Sequence, residues 1–169
     1  MSMQSSTTKT GTEIVLMIGG IATSGATALI VFLLQVYAEF DLSSLMLWFV
    51  IPAGSGICGF AAASGYYLAS RLTQRPPSLQ LLVNMVLIGL STYALIQYLN
   101  YHTLKLQEGT YVSDIVPFWS YYQIKIESTS LQFRYRGVKT GGPTGELGSW
   151  GYVYELGRII GFLVGGLVT

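Results

Sequence analysis

The sequence predicts an all-α membrane protein: four transmembrane helices, with a surface-lying, partly β insert between helices three and four. Two observations carry that prediction. Residues 14–38, 42–70 and 76–104 contain no Asp, Glu, Lys or Arg, and a fourth apolar run closes the sequence at 150–169. A helix needs about 20 mostly apolar residues to cross roughly 30 Å of hydrocarbon, and each run reaches that length. Charged residues make up 10% of the chain, against about 25% in ordinary soluble domains, and they are gathered in short connectors and one insert.

The spans read 14–38, 45–70, 79–101 and 150–169, in a single membrane domain covering 13–169. A small, polar tail at 1–12 precedes them and is expected to be disordered. The first run is too long for a signal-peptide core of about 7–15 residues, so it is expected to stay as a helix. Within it Gly19, Gly20, Thr23, Ser24, Thr27 and Ala28 recur at helical spacing, a small-residue stripe for close helix contact. Glu39 and Asp41 mark a tight acidic connector, which sets spans one and two side by side and antiparallel.

Span two carries Pro52 near its start and then Gly54, Gly56, Gly59, Ala62, Ala63 and Gly65. Such a helix would give up packing area against lipid, so it is expected at the centre of the bundle. Arg71, Arg75 and the Pro76–Pro77 pair follow as a basic stop and a stiff turn. Span three is the most hydrophobic, but Asn84 and Ser91 share one of its faces. An amide inside hydrocarbon needs a partner, so that face is expected to point inward.

The insert, 105–149, is rich in tyrosine and carries Trp119, with Trp150 just beyond it. Amphipathic aromatics favour the headgroup level, which places the insert on the membrane surface. Ser113 and Asp114 are positioned to cap a short helix running to Trp119. Residues 123–127 and 131–136 alternate apolar with polar around Ser128, Thr129 and Ser130, the period of a β-hairpin. One face would hold Ile124, Ile126, Leu131, Phe133 and Tyr135, and the other Lys125, Glu127, Arg134 and Arg136.

Span four repeats glycine at strict four-residue spacing, Gly157, Gly161 and Gly165, a double GxxxG groove. Glu155 and Arg158, three apart near its start, are expected to pair. With Asn84 they form the candidate intramembrane polar site, because ionisable groups at membrane depth are functional candidates by default. Gly54, Gly56, Gly59, Gly65, Gly157, Gly161 and Gly165 are the candidate packing residues. Acidic Glu39 and Asp41 outside, with Arg71 and Arg75 inside, favour both termini in the cytoplasm.

The chemical inventory is thin. One His and one Cys, His102 and Cys58, cannot supply a zinc shell of three or four ligands. His102 at an interface has no accompanying nucleophile-elbow or oxyanion text. Lys139-Thr140-Gly141 and Ser6-Thr7-Thr8-Lys9 match two boxes of the serine β-lactamases, but the third is missing and the two would face opposite sides of the membrane. No catalytic residue, metal or cofactor is expected. A net charge of +1 offers no basic field for nucleic acid.

Three stretches, IPAGSGICGFAAASGYYLASRL, VPFWSYYQIKIESTSLQFRYR and TGELGSWGYVYELGRIIGFLVGG, resemble a group of uncharacterised bacterial multi-span inner-membrane proteins. The resemblance covers most of the chain from about residue 45 onward, and implies an architecture and a bacterial inner membrane but no chemistry. The expectation for function is a non-enzymatic structural or accessory subunit, packing through its glycine faces on itself as a homo-oligomer or within a larger membrane complex. A small channel or transporter component is the alternative. The expected partners are the lipid bilayer and either further copies of this chain or other membrane subunits.

Overall fold

A computed structural model describes residues 4–47, 51–74, 76, 78–105, 109–129, 134–135, 138–139 and 145–169. In chain order the helices are α1 (Gln4–Ala38), α2 (Ala53–Leu72), α3 (Leu79–Thr103), α4 (Val112–Ile115), α5 (Phe118–Glu127) and α6 (Trp150–Val168). A 3₁₀ turn, Leu42–Ser44, joins α1 to α2. The chain divides into two compact units, one of residues 1–97 and 158–169 and one of residues 98–157. Three helices are long and apolar enough to cross a membrane, over Gly11–Ala38, Leu79–Thr103 and Trp150–Val168.

α1 starts earlier than expected. The polar residues from Gln4 onward continue the helix in place of a disordered tail, since extending a helix that is already nucleated adds one hydrogen bond for each residue fixed. At its other end Glu39 takes a positive φ of 50°, and the Phe40 N–H closes on the Leu34 carbonyl at 3.2 Å. The chain turns there into the 3₁₀ segment, which Asp41 caps by accepting from the Ser43 N–H at 3.0 Å.

α2 is the helix that does not join the apolar three. Half of its 20 residues are buried, mostly glycine, alanine and serine. It touches each of the other long helices of its unit: α1 at Gly65 and Gly19, α3 through Tyr66 and Asn84, and α6 at Gly59 and Phe162. These contacts match the expected central place, and its small buried residues account for its modest hydropathy, while Ile57, Phe60 and Leu68 stay exposed. Within the unit the directions alternate. α1 runs antiparallel to α2, with Thr23 Oγ donating to the Ala62 carbonyl at 2.7 Å. α6 runs along Pro52–Phe60 of α2 in the parallel sense, and past Gly89 and Met85 of α3 in the antiparallel sense. The outward residues of α1, among them Ile14, Ile18, Ile21 and Leu29, are more than half exposed, as a lipid-facing surface would be.

The second unit is helical where a hairpin was expected. Residues 123–127 belong to α5. Their alternation covers only five residues, and extended back to Phe118 the same segment has a helical period. Phe118, Tyr121, Tyr122, Lys125 and Ile126 are all buried or half-buried, the i, i+3, i+4, i+7, i+8 face of a helix. Tyr135 and Arg134 do form a strand, but it pairs with Val138 and Lys139 as a two-residue ladder. Leu131, Phe133 and Arg136 of the expected hairpin lie outside the described residues, as do Arg75, Pro77 and Thr140. The 113–119 helix is also divided: α4 ends at Ile115, and Pro117, which lacks an N–H, stands as the N-cap of α5. Ser113 and Asp114 lie inside α4 after the N-cap Tyr111, and do not cap it.

Candidate functional site

The glycines expected to pack do so within the first unit, and they oppose backbone. A Cβ built on Gly19 would stand 2.7 Å from the Gly65 carbonyl oxygen, and one on Gly65 would meet Gly19 and Thr23 more closely still. Gly54 sits under the Leu42 carbonyl, where the 3₁₀ turn folds back, and Gly59 against the Phe162 backbone. On α6, Gly161 fits over Pro52 and Ser55, while Gly165 meets the Gly56 carbonyl and lies 2.8 Å (from a built Cβ) from the Phe60 nitrogen. Gly56 itself has more room, with the nearest neighbour of a built Cβ 3.9 Å away. Gly157, the first residue of the expected ladder, is half-buried. Two glycines that the four-residue spacing does not single out extend the contact: a Cβ built on Gly89 would stand 2.9 Å from the Phe162 carbonyl oxygen, and one on Gly166 3.0 Å from that of Met85.

Polar groups fill the spaces that these close approaches leave. Asn84 donates from Nδ2 to Tyr66 Oη at 2.7 Å, joining α3 to α2. The other polar residue on its expected face, Ser91, is exposed, and the neighbouring Thr92 is buried instead and bonds Ser24 Oγ at 2.7 Å. The physical reason is that the inward face of α3 follows Met85, Gly89, Thr92 and Ile96, and Ser91 lies a helical step to its side.

Arg158 is 4% exposed, so its guanidinium does not snorkel to water. It donates to Ser43 Oγ and to Asp41 Oδ2, the latter at 3.4 Å, and so ties α6 to the connector between α1 and α2. Ser43 also donates to Asp41 Oδ1 at 2.6 Å, so that one hydroxyl and one carboxylate meet the cation together. The expected i, i+3 relation to Glu155 gave no hint of this long-range partner. The signal was the acidic connector itself, where Asp41 is followed by two serines. Glu155, buried in the second unit, accepts from Tyr122 Oη at 3.4 Å.

The second unit has an aromatic core. Tyr101, Val112 and Tyr121 are buried together, flanked by Val116 and Phe118, and Tyr101 Oη donates to the Val116 carbonyl at 2.7 Å. Burial pushes the Tyr121 phenol above its usual value. His102 is exposed and stacks edge-on against Tyr98 and Tyr101, at 4.3 and 4.9 Å between ring centres. The segment after 144 returns to α5: the Leu147 N–H donates to the Thr129 carbonyl at 2.9 Å and the Gly148 N–H to the Glu127 carbonyl at 3.1 Å, supplying donors for the C-terminal end of that helix. Tyr152 Oη adds a bond to Glu127 at 3.0 Å.

Among the described residues no three His, Cys, Asp or Glu side chains gather as a metal site. Cys58 is a buried free thiol. Comparison with known protein families, curated proteins and solved structures finds no match to this chain.

Proposed function

We propose that this chain is a non-enzymatic integral membrane protein, a small structural or accessory subunit that works as a preformed helical block. The observation that supports this reading is where its specialised residues go. Gly54, Gly56, Gly59, Gly65, Gly161 and Gly165 are set against neighbouring helices or turns of this same chain. The polar groups Thr23, Ser24, Asn84 and Arg158 likewise bond across helices. Association with a second copy or with other membrane subunits then falls to the outward isoleucines and leucines.

In this reading α2 crosses the bilayer as a fourth span inside the sheath of α1, α3 and α6, and both termini are cytoplasmic. The insert of residues 105–149 lies on the membrane surface. Trp119 and Trp150, each 72% exposed, with Ile115 and Ile124 at 59%, are the groups that would enter the headgroup layer. A bacterial inner membrane follows from the resemblance noted above. Native mass spectrometry of the protein extracted gently from its own membrane tests the subunit role: a defined homo-oligomer or heteromer is the expected mass, and a bare monomer at every detergent concentration refutes it.

One observation favours the second reading, a channel or transporter component. Two ionisable side chains, Glu155 and Arg158, are buried on α6, and such residues often mark ion paths. That reading requires flux in proteoliposomes that changes with Glu155→Gln or Arg158→Met, whereas the subunit reading requires only an assembly defect.

A further inference from the structure

α2 ends on a face that carries a fixed cation beside exposed leucines. Tyr67, Leu68, Arg71 and Leu72 recur at three- and four-residue spacing over its last two turns, so they share one side of the helix. Arg71 is exposed, and its Nε donates to Tyr67 Oη at 2.8 Å, with the guanidinium carbon 5.3 Å from the Tyr67 ring centre. One tyrosine therefore fixes the guanidinium through both its hydroxyl and its ring. A guanidinium has five N–H donors. The bond to Tyr67 uses the one on Nε and leaves the two Nη groups, whose end-on fork fits two oxygens of a phosphate. Among the described residues Arg71 forms no ion pair, and residues 42–104 contain Arg71 and Arg75 but no Asp or Glu. Leu68 is 58% exposed and Leu72 84%.

We propose that this face holds an anionic phospholipid of the phosphatidylglycerol kind, with its phosphate on the Arg71 fork and an acyl chain along Leu68 and Leu72. The inference rests on the reading that α2 crosses the bilayer. A helix of 20 residues is about 30 Å long, the thickness of the hydrocarbon, so a crossing α2 sets Arg71 at the headgroup level and Leu68 just inside it. Helical side chains tilt towards the helix N-terminus, so Leu72 leans back in the same direction. A headgroup that ends in an ammonium would bring a second cation close to Arg71, whereas phosphatidylglycerol presents its phosphate with no cation attached. Free phosphate would use the fork and gain nothing from the leucines.

The test uses the full chain in nanodiscs of phosphatidylglycerol and phosphatidylcholine in equal parts, released into native mass spectrometry. The expected result is one phosphatidylglycerol retained per chain in preference to phosphatidylcholine. Arg71→Gln should weaken that preference about fivefold, the worth of one basic residue at an anionic surface. Tyr67→Phe keeps the ring and loses the hydroxyl that holds Nε, and should weaken it about twofold. Lys105→Gln removes another exposed cation that lies against a tyrosine, in the second unit, and should change nothing. Unchanged helical circular dichroism will show that the variants fold. Equal retention of phosphatidylcholine, retention untouched by Arg71→Gln, an equal loss in Lys105→Gln, or displacement of the lipid by inorganic phosphate would each overturn the assignment. The crossing of α2 is read separately, by labelling Leu47→Cys and Leu72→Cys, each in a Cys58→Ala background, with an impermeant maleimide in sealed vesicles. Labelling from the same side overturns the crossing and this site with it; labelling from opposite sides with no lipid preference overturns this site alone.

Discussion

Gly161→Leu puts the most direct load on the contact between α6 and α2. A Cβ at this position would meet Ser55 Oγ inside van der Waals contact, with the Pro52 carbonyl and Ser55 Cβ each 3.0 Å away. The hydroxyl could rotate aside, although it would give up its 2.9 Å bond to the Pro52 carbonyl. The backbone carbonyl and the Cβ cannot move without separating the helices. Alanine alone therefore carries an overpacking cost of about 1–3 kcal/mol, offset by the ~1 kcal/mol that alanine gains over glycine in a helix interior. Leucine adds three more carbons to a space that does not hold one, so its loss should exceed about 3 kcal/mol. Gly56→Ala is the internal control, because its built Cβ has nothing nearer than 3.9 Å, and Gly25→Ala on α1 is a second, with nothing within 4 Å. Both should be neutral or stabilising by up to ~1 kcal/mol. Reversible unfolding in mixed micelles, followed by circular dichroism, reads all four variants on one scale. Gly161→Leu with wild-type stability, or Gly56→Ala as damaging as Gly161→Ala, would refute the packing argument.

Three further outcomes follow from the polar contacts. Arg158→Met leaves Asp41 and Ser43 without their cation and should cost about 3 kcal/mol, while the Asp41→Asn, Arg158→Met double variant should regain part of it, as a double-mutant cycle in the same unfolding assay will show. Tyr66→Phe removes the acceptor for Asn84 and should cost about 1 kcal/mol, with Asn84→Leu on top of it adding little. Tyr121 has its phenol pKa raised by burial from the usual 10.0. A raised folded pKa gives stability that is present below pH 10 and is lost as the pH climbs through the folded value, so alkaline unfolding should track the late-titrating tyrosine absorbance and should be delayed in Tyr121→Phe.

That three helices are long and apolar enough to cross a membrane was legible because it rests on length and the scarcity of charge, which need no partner to be recognised. The central place of α2 was legible for a related reason: a run of Gly54, Gly56, Gly59 and Gly65 makes physical sense only beside other backbones. Partners were not legible. Nothing near Arg158 in sequence names Asp41, 117 residues away. Ser91 and Thr92 are adjacent, and which of them turns inward depends on how α3 is rotated against α1, a quantity set by Gly20, Ser24 and their neighbours together. The hairpin expected at 123–127 failed because five residues of alternation also fit one face of a helix. The decisive positions, Phe118, Tyr121 and Tyr122, lay upstream of the window.

The glycine faces close within one chain, and cysteine cross-linking between α1 and α2 tests that most directly. Thr23 Oγ and the Ala62 carbonyl are 2.7 Å apart, which brings the two residues near the range a disulfide can bridge. Thr23→Cys and Ala62→Cys would be combined in a Cys58→Ala background, oxidised in native membranes and separated by mass without reductant. The predicted result is an intramolecular disulfide at monomer mass, absent from either single-cysteine chain. Cross-links found only between chains, at dimer mass, would contradict the account.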